Sequence, residues 1–322
     1  MRMPTGMRSE TRGKLDDMTQ TRTIDIAIGC GIAAAGLALV RLGGRNAHRP
    51  ALQTHIDTAR TFNRSSALLA LSVLTDSAME HYRGSFDNPA MYTPLVVSTL
   101  SLFAGLHGGS DHEPARHPVR DAVYVGAALA GVAGTGFHLY NITKRPGGWS
   151  WHNLFYAAPI GAPMALLLSG ALGAVSERLR DEPAHEPRLF GMPAGQALAL
   201  VTSAGLLGTL GEVALLHFRG AFQNPAMYAP IVIPPVASAL LVDAALARPR
   251  EHGFTRLWLR VTTALGFIGV GFHARGVARA RGGWRNWSQN LFNGPPLPAP
   301  PSFSALALAG LAALRLRETE KK

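Results

Sequence analysis

HYRGSFDNPAMYTP, residues 81–94, returns as HFRGAFQNPAMYAP at residues 217–230, with ten of fourteen positions identical at a fixed offset of 136. The string lies between long uncharged runs. No Asp, Glu, Lys or Arg occurs between Asp87 and Asp111, from Ala122 to Thr143, from Pro146 to Ser176, from Leu189 to Gly211, or from Gly220 to Val242. Each run reaches the ~20 residues an apolar helix needs to cross a bilayer. A soluble core helix would carry charges on its wet face every three or four residues.

The pattern therefore predicts an all-α, multi-pass integral membrane protein. Spans are expected near 65–82, 90–108, 120–142 and 155–177, and again near 195–217, 226–246, 256–274 and 297–315. Further matches follow the opening string: GFH at 136–138 and 271–273, GGW at 147–149 and 282–284, and NLF at 153–155 and 290–292. These divide the chain into an N-terminal region (1–64), repeat one (65–180), a linker (181–190) and repeat two (191–322). Four spans per repeat is an even number, so both repeats enter the membrane in the same sense, as tandem parallel repeats. Their motif loops then share one face.

Within 1–64, Ile26–Val40 is an uncharged run of fifteen, read as an extra, retained hydrophobic helix, and 41–64 reads as a basic loop. Motif-face loops carry eight Lys and Arg and the opposite loops eighteen. The positive-inside rule places the motif loops outside the cytoplasm. The net charge of +11 is thus read as span anchoring and not as a nucleic-acid footprint. Cys30 is the single cysteine, which excludes an internal disulfide, a CxxCH haem attachment and cysteine-rich metal centres.

Part of the motif is helix-hairpin grammar. Gly84 and Gly220 are expected in the left-handed conformation that ends a helix. Asn88 and Asn224 are expected N-caps ahead of Pro89 and Pro225. Other retained residues exceed that grammar. Asp76 and Glu212 are equivalent carboxylates inside spans, where an ionisable group is costly and points to function. His81 and His217 follow five residues later, and His138 and His273 recur near the motif-face ends of the third spans. Trp149 and Trp284 suit the aromatic belt at the membrane surface. Asn153 and Asn290 open the fourth spans. His107, His112 and His117 lie in an unduplicated loop on the opposite face and read as solvated.

Several functions fit these residues. The first is a membrane redox component binding haem b or a transition metal. His81, His138, His217 and His273 would be ligands. Asp76 and Glu212 would orient the imidazoles or coordinate directly. Such a site in the outer third of the membrane suits exchange with a quinone or an extracytoplasmic redox protein. The second is a small-solute transporter. Arg83, Asn88, Tyr92, Arg219, Asn224 and Tyr228 would bind substrate, and Asp76 and Glu212 would relay protons. The others are an enzyme on a lipid-soluble substrate, with His81 as general base, and a membrane anchor for a partner protein. No Walker loop, G-x-S-x-G or H-E-x-x-H occurs, so no motif fixes a catalytic set.

Overall fold

A computed structural model describes residues 51–156, 159–181, 187–249 and 251–320. The hydrophobic segment Ile26–Val40 lies outside the described residues. Those residues are mostly helical, joined by short loops and turns, with one two-residue β-ladder pairing β1 (Arg188–Leu189) with β2 (Met192–Pro193).

The first half runs α1 (Ala51–Arg83), α2 (Thr93–Ser110), α3 (Pro118–Lys144), the short α4 (Trp151–Tyr156) and α5 (Gly161–Asp181). After the β-ladder come α6 (Ala194–Arg219), α7 (Ala229–Leu246), α8 (Gly253–Arg279), the short α9 (Trp287–Asn293) and α10 (Pro301–Thr319). Five stretches are long and apolar enough to cross a membrane: Pro89–Ser110, Pro118–Lys144, Ala194–Arg219, Pro225–Leu246 and Gly253–Arg279.

α1, α5 and α10 fall outside that set because they are interior. α1 packs on α2 and α5, and α3 packs on α5 and α2. α6 packs on α7 and α10, and α8 on α10 and α7, while α10 also joins the halves through α1. Nearly every α10 residue from Ser302 to Arg317 is buried. Such a helix contacts protein in place of lipid, and small residues let neighbouring backbones approach it closely. A Cβ at Gly131 would overlap the Leu167 backbone in α5, and one at Gly266 would overlap Pro300 and Ser304 at the start of α10. Likewise Gly173 lies against Tyr124 and Gly310 against Leu259.

Three boundaries differ from the sequence expectation. α1 begins fourteen residues before 65, because 51–64 is amphipathic. Ala59 and Phe62 are fully buried, while Arg60 and Arg64 donate to the Gly109 carbonyl at the end of α2, at 3.2 and 3.1 Å. The span expected from 155 is broken into α4 and α5, since Pro159 cannot continue a helix. The left-handed residues after α1 and α6 are Ser85 and Phe86, and Ala221 and Phe222, instead of the preceding glycines. At Gly84 and Gly220 an added Cβ would lie 3.1 Å from Met91 Cε and 3.0 Å from Met227 Cε, a tight contact with the movable end of each methionine.

Candidate functional site

The duplicated string folds into the same turn twice. The Phe86 N–H donates to the His81 carbonyl at 3.1 Å, and Phe222 N–H to that of His217 at 3.2 Å. Phe86 stacks on Tyr92 with ring centroids 4.4 Å apart, and Phe222 on Tyr228 at 4.6 Å. Asn88 Oδ1 accepts from Ala90 N–H at 2.9 Å and Asn224 Oδ1 from Ala226 N–H at 2.9 Å, so both asparagines cap as expected. A bulky residue with positive φ is strained; here each left-handed phenylalanine is held by its tyrosine.

Each histidine of the string closes this turn. His81 Nδ1–H donates to Met91 O at 2.6 Å, and His217 Nδ1–H to Met227 O at 2.8 Å. His138 Nδ1–H donates to Pro159 O at 2.6 Å and His273 Nδ1–H to Pro296 O at 2.6 Å. A carbonyl only accepts, so Nδ1 carries the proton in all four rings, and the neutral imidazole keeps its lone pair on Nε2. The two histidines of each half are neighbours: His81 lies in electrostatic range of His138, and His217 of His273. Pro159 and Pro296 were missed by sequence reading. Their offset of 137 is that of NLF, which is the signal that marks them.

The carboxylates come together from different halves. Asp76 and Glu212 interact electrostatically, with Glu80 also near Asp76. Glu212 accepts from the Gly161 N–H at the start of α5, and a Cβ at Gly161 would overlap its carboxylate. The equivalent start of α10 lies in PPLPAPP (295–301), which is poor in N–H donors, and Asp76 makes no hydrogen bond or ion pair among the described residues.

The retained arginines diverge. Arg83 pairs with Glu80 at 2.8 Å, whereas Arg219 lies over the Tyr156 ring at 4.7 Å. Tyr82 stacks on Phe292 at 5.2 Å. Through these contacts α4 touches α6 and α9 touches α1, which gathers the motif turns at one end of the bundle. Asn153 and Asn290 are loop clamps: Asn153 Nδ2 donates to Pro146 O and Gly148 O at 3.1 and 2.7 Å, and Asn290 Nδ2 to Arg281 O and Gly283 O at 3.2 and 2.8 Å. They hold the GGW turns, whose glycines all have positive φ.

The opposite end holds a polar network that the sequence reading did not anticipate, and the histidines read as solvated lie against it. Arg120 bonds Glu177 through two nitrogens at 2.9 Å each and Asp111 at 2.6 Å. Arg180, fully buried, donates to Gly108 O and Glu113 O at 2.7 Å each and to Asp111 O at 3.2 Å. His107 and His112 accept from Arg120 and Arg60, each at 3.3 Å, and His117 caps α3. In the second half Arg317 donates to Ala244 O at 3.1 Å and to Ala247 O. Arg180 and Arg317 thus each satisfy carbonyls at the end of the second helix of their half, again at an offset of 137.

Among the described residues no three His, Cys, Asp or Glu side chains converge as a metal ion would require. No protein-family model, curated protein or solved structure matches the chain. Fold and composition define a helical protein with five helices long and apolar enough to cross a membrane.

Proposed function

We propose that the chain is an eight-span membrane protein of two parallel four-span repeats, and that the motif end binds haem b between paired imidazoles, His81 with His138 and His217 with His273. The observation that carries this reading is the shared state of the four rings. Each donates Nδ1–H to a backbone carbonyl, the arrangement that fixes the tautomer and orientation of a ligating histidine. His81 with His138, and His217 with His273, would hold the haem, which needs fewer protein donors than a bare transition metal. Bound there, haem would carry single electrons through its iron.

Support for the repeat comes from contacts recurring at the sequence offsets: the histidine–carbonyl bonds, the asparagine clamps, and the Gly131 and Gly266 approaches. The Lys and Arg imbalance supports an extracytoplasmic motif end, so the electron partner is a quinone or an extracytoplasmic redox protein. The test is the visible spectrum of protein purified from haem-replete cells. His138→Ala and His273→Ala are each expected to halve the haem content.

A second reading rests on Asp76. An unpaired carboxyl facing Glu212 across the halves suits a proton-coupled transporter, with Arg83, Asn88 and Tyr92 and their counterparts Arg219, Asn224 and Tyr228 near the entrance. Proton-coupled uptake in proteoliposomes that survives Asp76→Asn and Glu212→Gln would count against it.

A further inference from the structure

A groove of about 540 Å³ runs between α2 and α3, walled by Val97 and Leu100 of α2 and by Val119, Ala122, Val123 and Gly126 of α3. Every side chain lining it is apolar. Leu100 and Val119 are 51% and 65% exposed, and a Cβ on Gly126 would meet open space. The second half closes the equivalent groove with its own side chains. At the GFH offset of 135, Val119, Ala122, Val123 and Gly126 correspond to Phe254, Leu257, Trp258 and Val261 of α8, each of them larger. Trp258 reaches across to α7, where its indole N–H donates to Ile233 O at 2.9 Å. Ile233 is the counterpart of Val97 at the offset of 136. Phe254 packs beside Trp258 with ring centroids 5.9 Å apart. Among the described residues the first half supplies no such ring.

We propose that Ile26–Val40 of this same chain occupies the α2–α3 groove. The segment is uncharged, which suits an apolar wall, and eight of its fifteen residues are Gly or Ala. Small residues let a helix lie close against its neighbours. Its tether also reaches. α1 starts at the end of the bundle where α3 starts, since Arg60 meets His112 and Arg120 meets Asp111 within one loop. Ten residues, 41–50, join Val40 to α1, and such a stretch extends up to about 33–36 Å. Cys30 precedes Arg41 by eleven residues, about 16 Å along a helix. Leu100 precedes the end of α2 at Ser110 by ten, about 15 Å, so the two come to like depth. A lipid chain or a second copy would also fit an apolar wall. The tether favours the chain's own segment, because a short linker raises its effective concentration into the millimolar range.

The test uses the full chain in detergent, with Cys30, the single cysteine, as a built-in probe. Leu100→Cys and Gly126→Cys are made separately and oxidised with copper phenanthroline, and the remaining thiols are counted by maleimide labelling. Each variant is expected to lose both thiols to an intramolecular disulfide, without dimer formation. Val236→Cys and Val261→Cys, the counterparts in the filled groove, are expected to keep both. Adding Val123→Trp, which brings in the residue of the second half, is expected to abolish the link in Gly126→Cys. No link from either first-half cysteine, or equal linking from the second-half ones, would overturn the assignment. So would a link that persists beside Val123→Trp. Disulfide dimers of Gly126→Cys in a Cys30→Ser background would give the groove to a second copy and overturn it too. None of these positions is among the four histidines, so haem content should be unchanged and the two proposals fail separately.

Discussion

Replacing Arg180 with methionine should destabilise the first half of the bundle severely. Its guanidinium is fully buried and donates to three carbonyls, Gly108 O, Glu113 O and Asp111 O, at 2.7, 2.7 and 3.2 Å. Methionine fills much of the volume but donates nothing. The buried acceptor left without a donor, Gly108 O, costs about 1–3 kcal/mol, and Glu113 O and Asp111 O cost less because water reaches them. The charge also matters, because Arg120 and Arg180 together balance Glu177 and Asp111. Removing one partner from a buried ion cluster costs about 3–5 kcal/mol. The two figures describe one event and do not add. Water reaches the partly exposed Asp111 side of the network and relieves some of the loss. A cost of about 3–5 kcal/mol is therefore expected. The assay is unfolding in mixed dodecylmaltoside–SDS micelles followed by circular dichroism. Arg248→Ala, an exposed loop position, should stay within about 0.5 kcal/mol of wild type. A cost below about 1 kcal/mol for Arg180→Met would refute the reasoning, since it is less than one uncapped carbonyl requires.

The same assay checks other outcomes. Asn153→Ala and Asn290→Ala each remove two hydrogen bonds from a glycine turn and should each cost about 1–3 kcal/mol, with Asp in place of Asn rescuing neither. Gly131→Ala and Gly266→Ala should each cost about 1–3 kcal/mol by wedging α3 from α5 and α8 from α10, while Gly136→Ala, with open space around it, should be neutral. Acid should weaken the network through Asp111. Burial opposes its charge, but the Glu113 N–H, the Arg120 hydrogen bond and the Arg180 charge hold its carboxyl below the ordinary range. A group lowered in the folded state contributes stability that is present above its unfolded value of about 3.9 and is lost as pH falls through the folded one. Wild type should therefore lose stability below about pH 4, and Asp111→Asn, weaker at neutral pH, should lose less over the same range.

The helical class and several helices long and apolar enough to cross a membrane were legible in the sequence. Charge-free runs marked the long helices, because lipid-facing surface excludes charge. The interior helices α5 and α10 were harder, since protein neighbours tolerate Ser, Gly and Pro, and α10 starts in a proline-rich segment. Retained histidines were visible as a pattern, but not their bonds to Pro159 and Pro296, which depend on chain reversals about twenty residues away. The asparagines of NLF, read only as opening the fourth spans, are clamps on GGW, a role that depends on how the intervening turn folds. The buried Arg120–Glu177–Arg180 network was not found in the sequence, because its central pair, Arg120 and Glu177, lies 57 residues apart on different helices; only Glu177 and Arg180 share helical i,i+3 spacing. Left-handed Ser85–Phe86 contradicted residue preference, and only the Tyr92 stack explains it.

The most direct test is the absorption spectrum of the purified full chain, with haem extracted and quantified per polypeptide. The account predicts a Soret band that shifts on reduction with dithionite, and two haems per chain. One haem should remain in His138→Ala or His273→Ala, and none in the double variant. A colourless, folded wild-type protein from haem-replete cells, or haem content unchanged in the double variant, would contradict it.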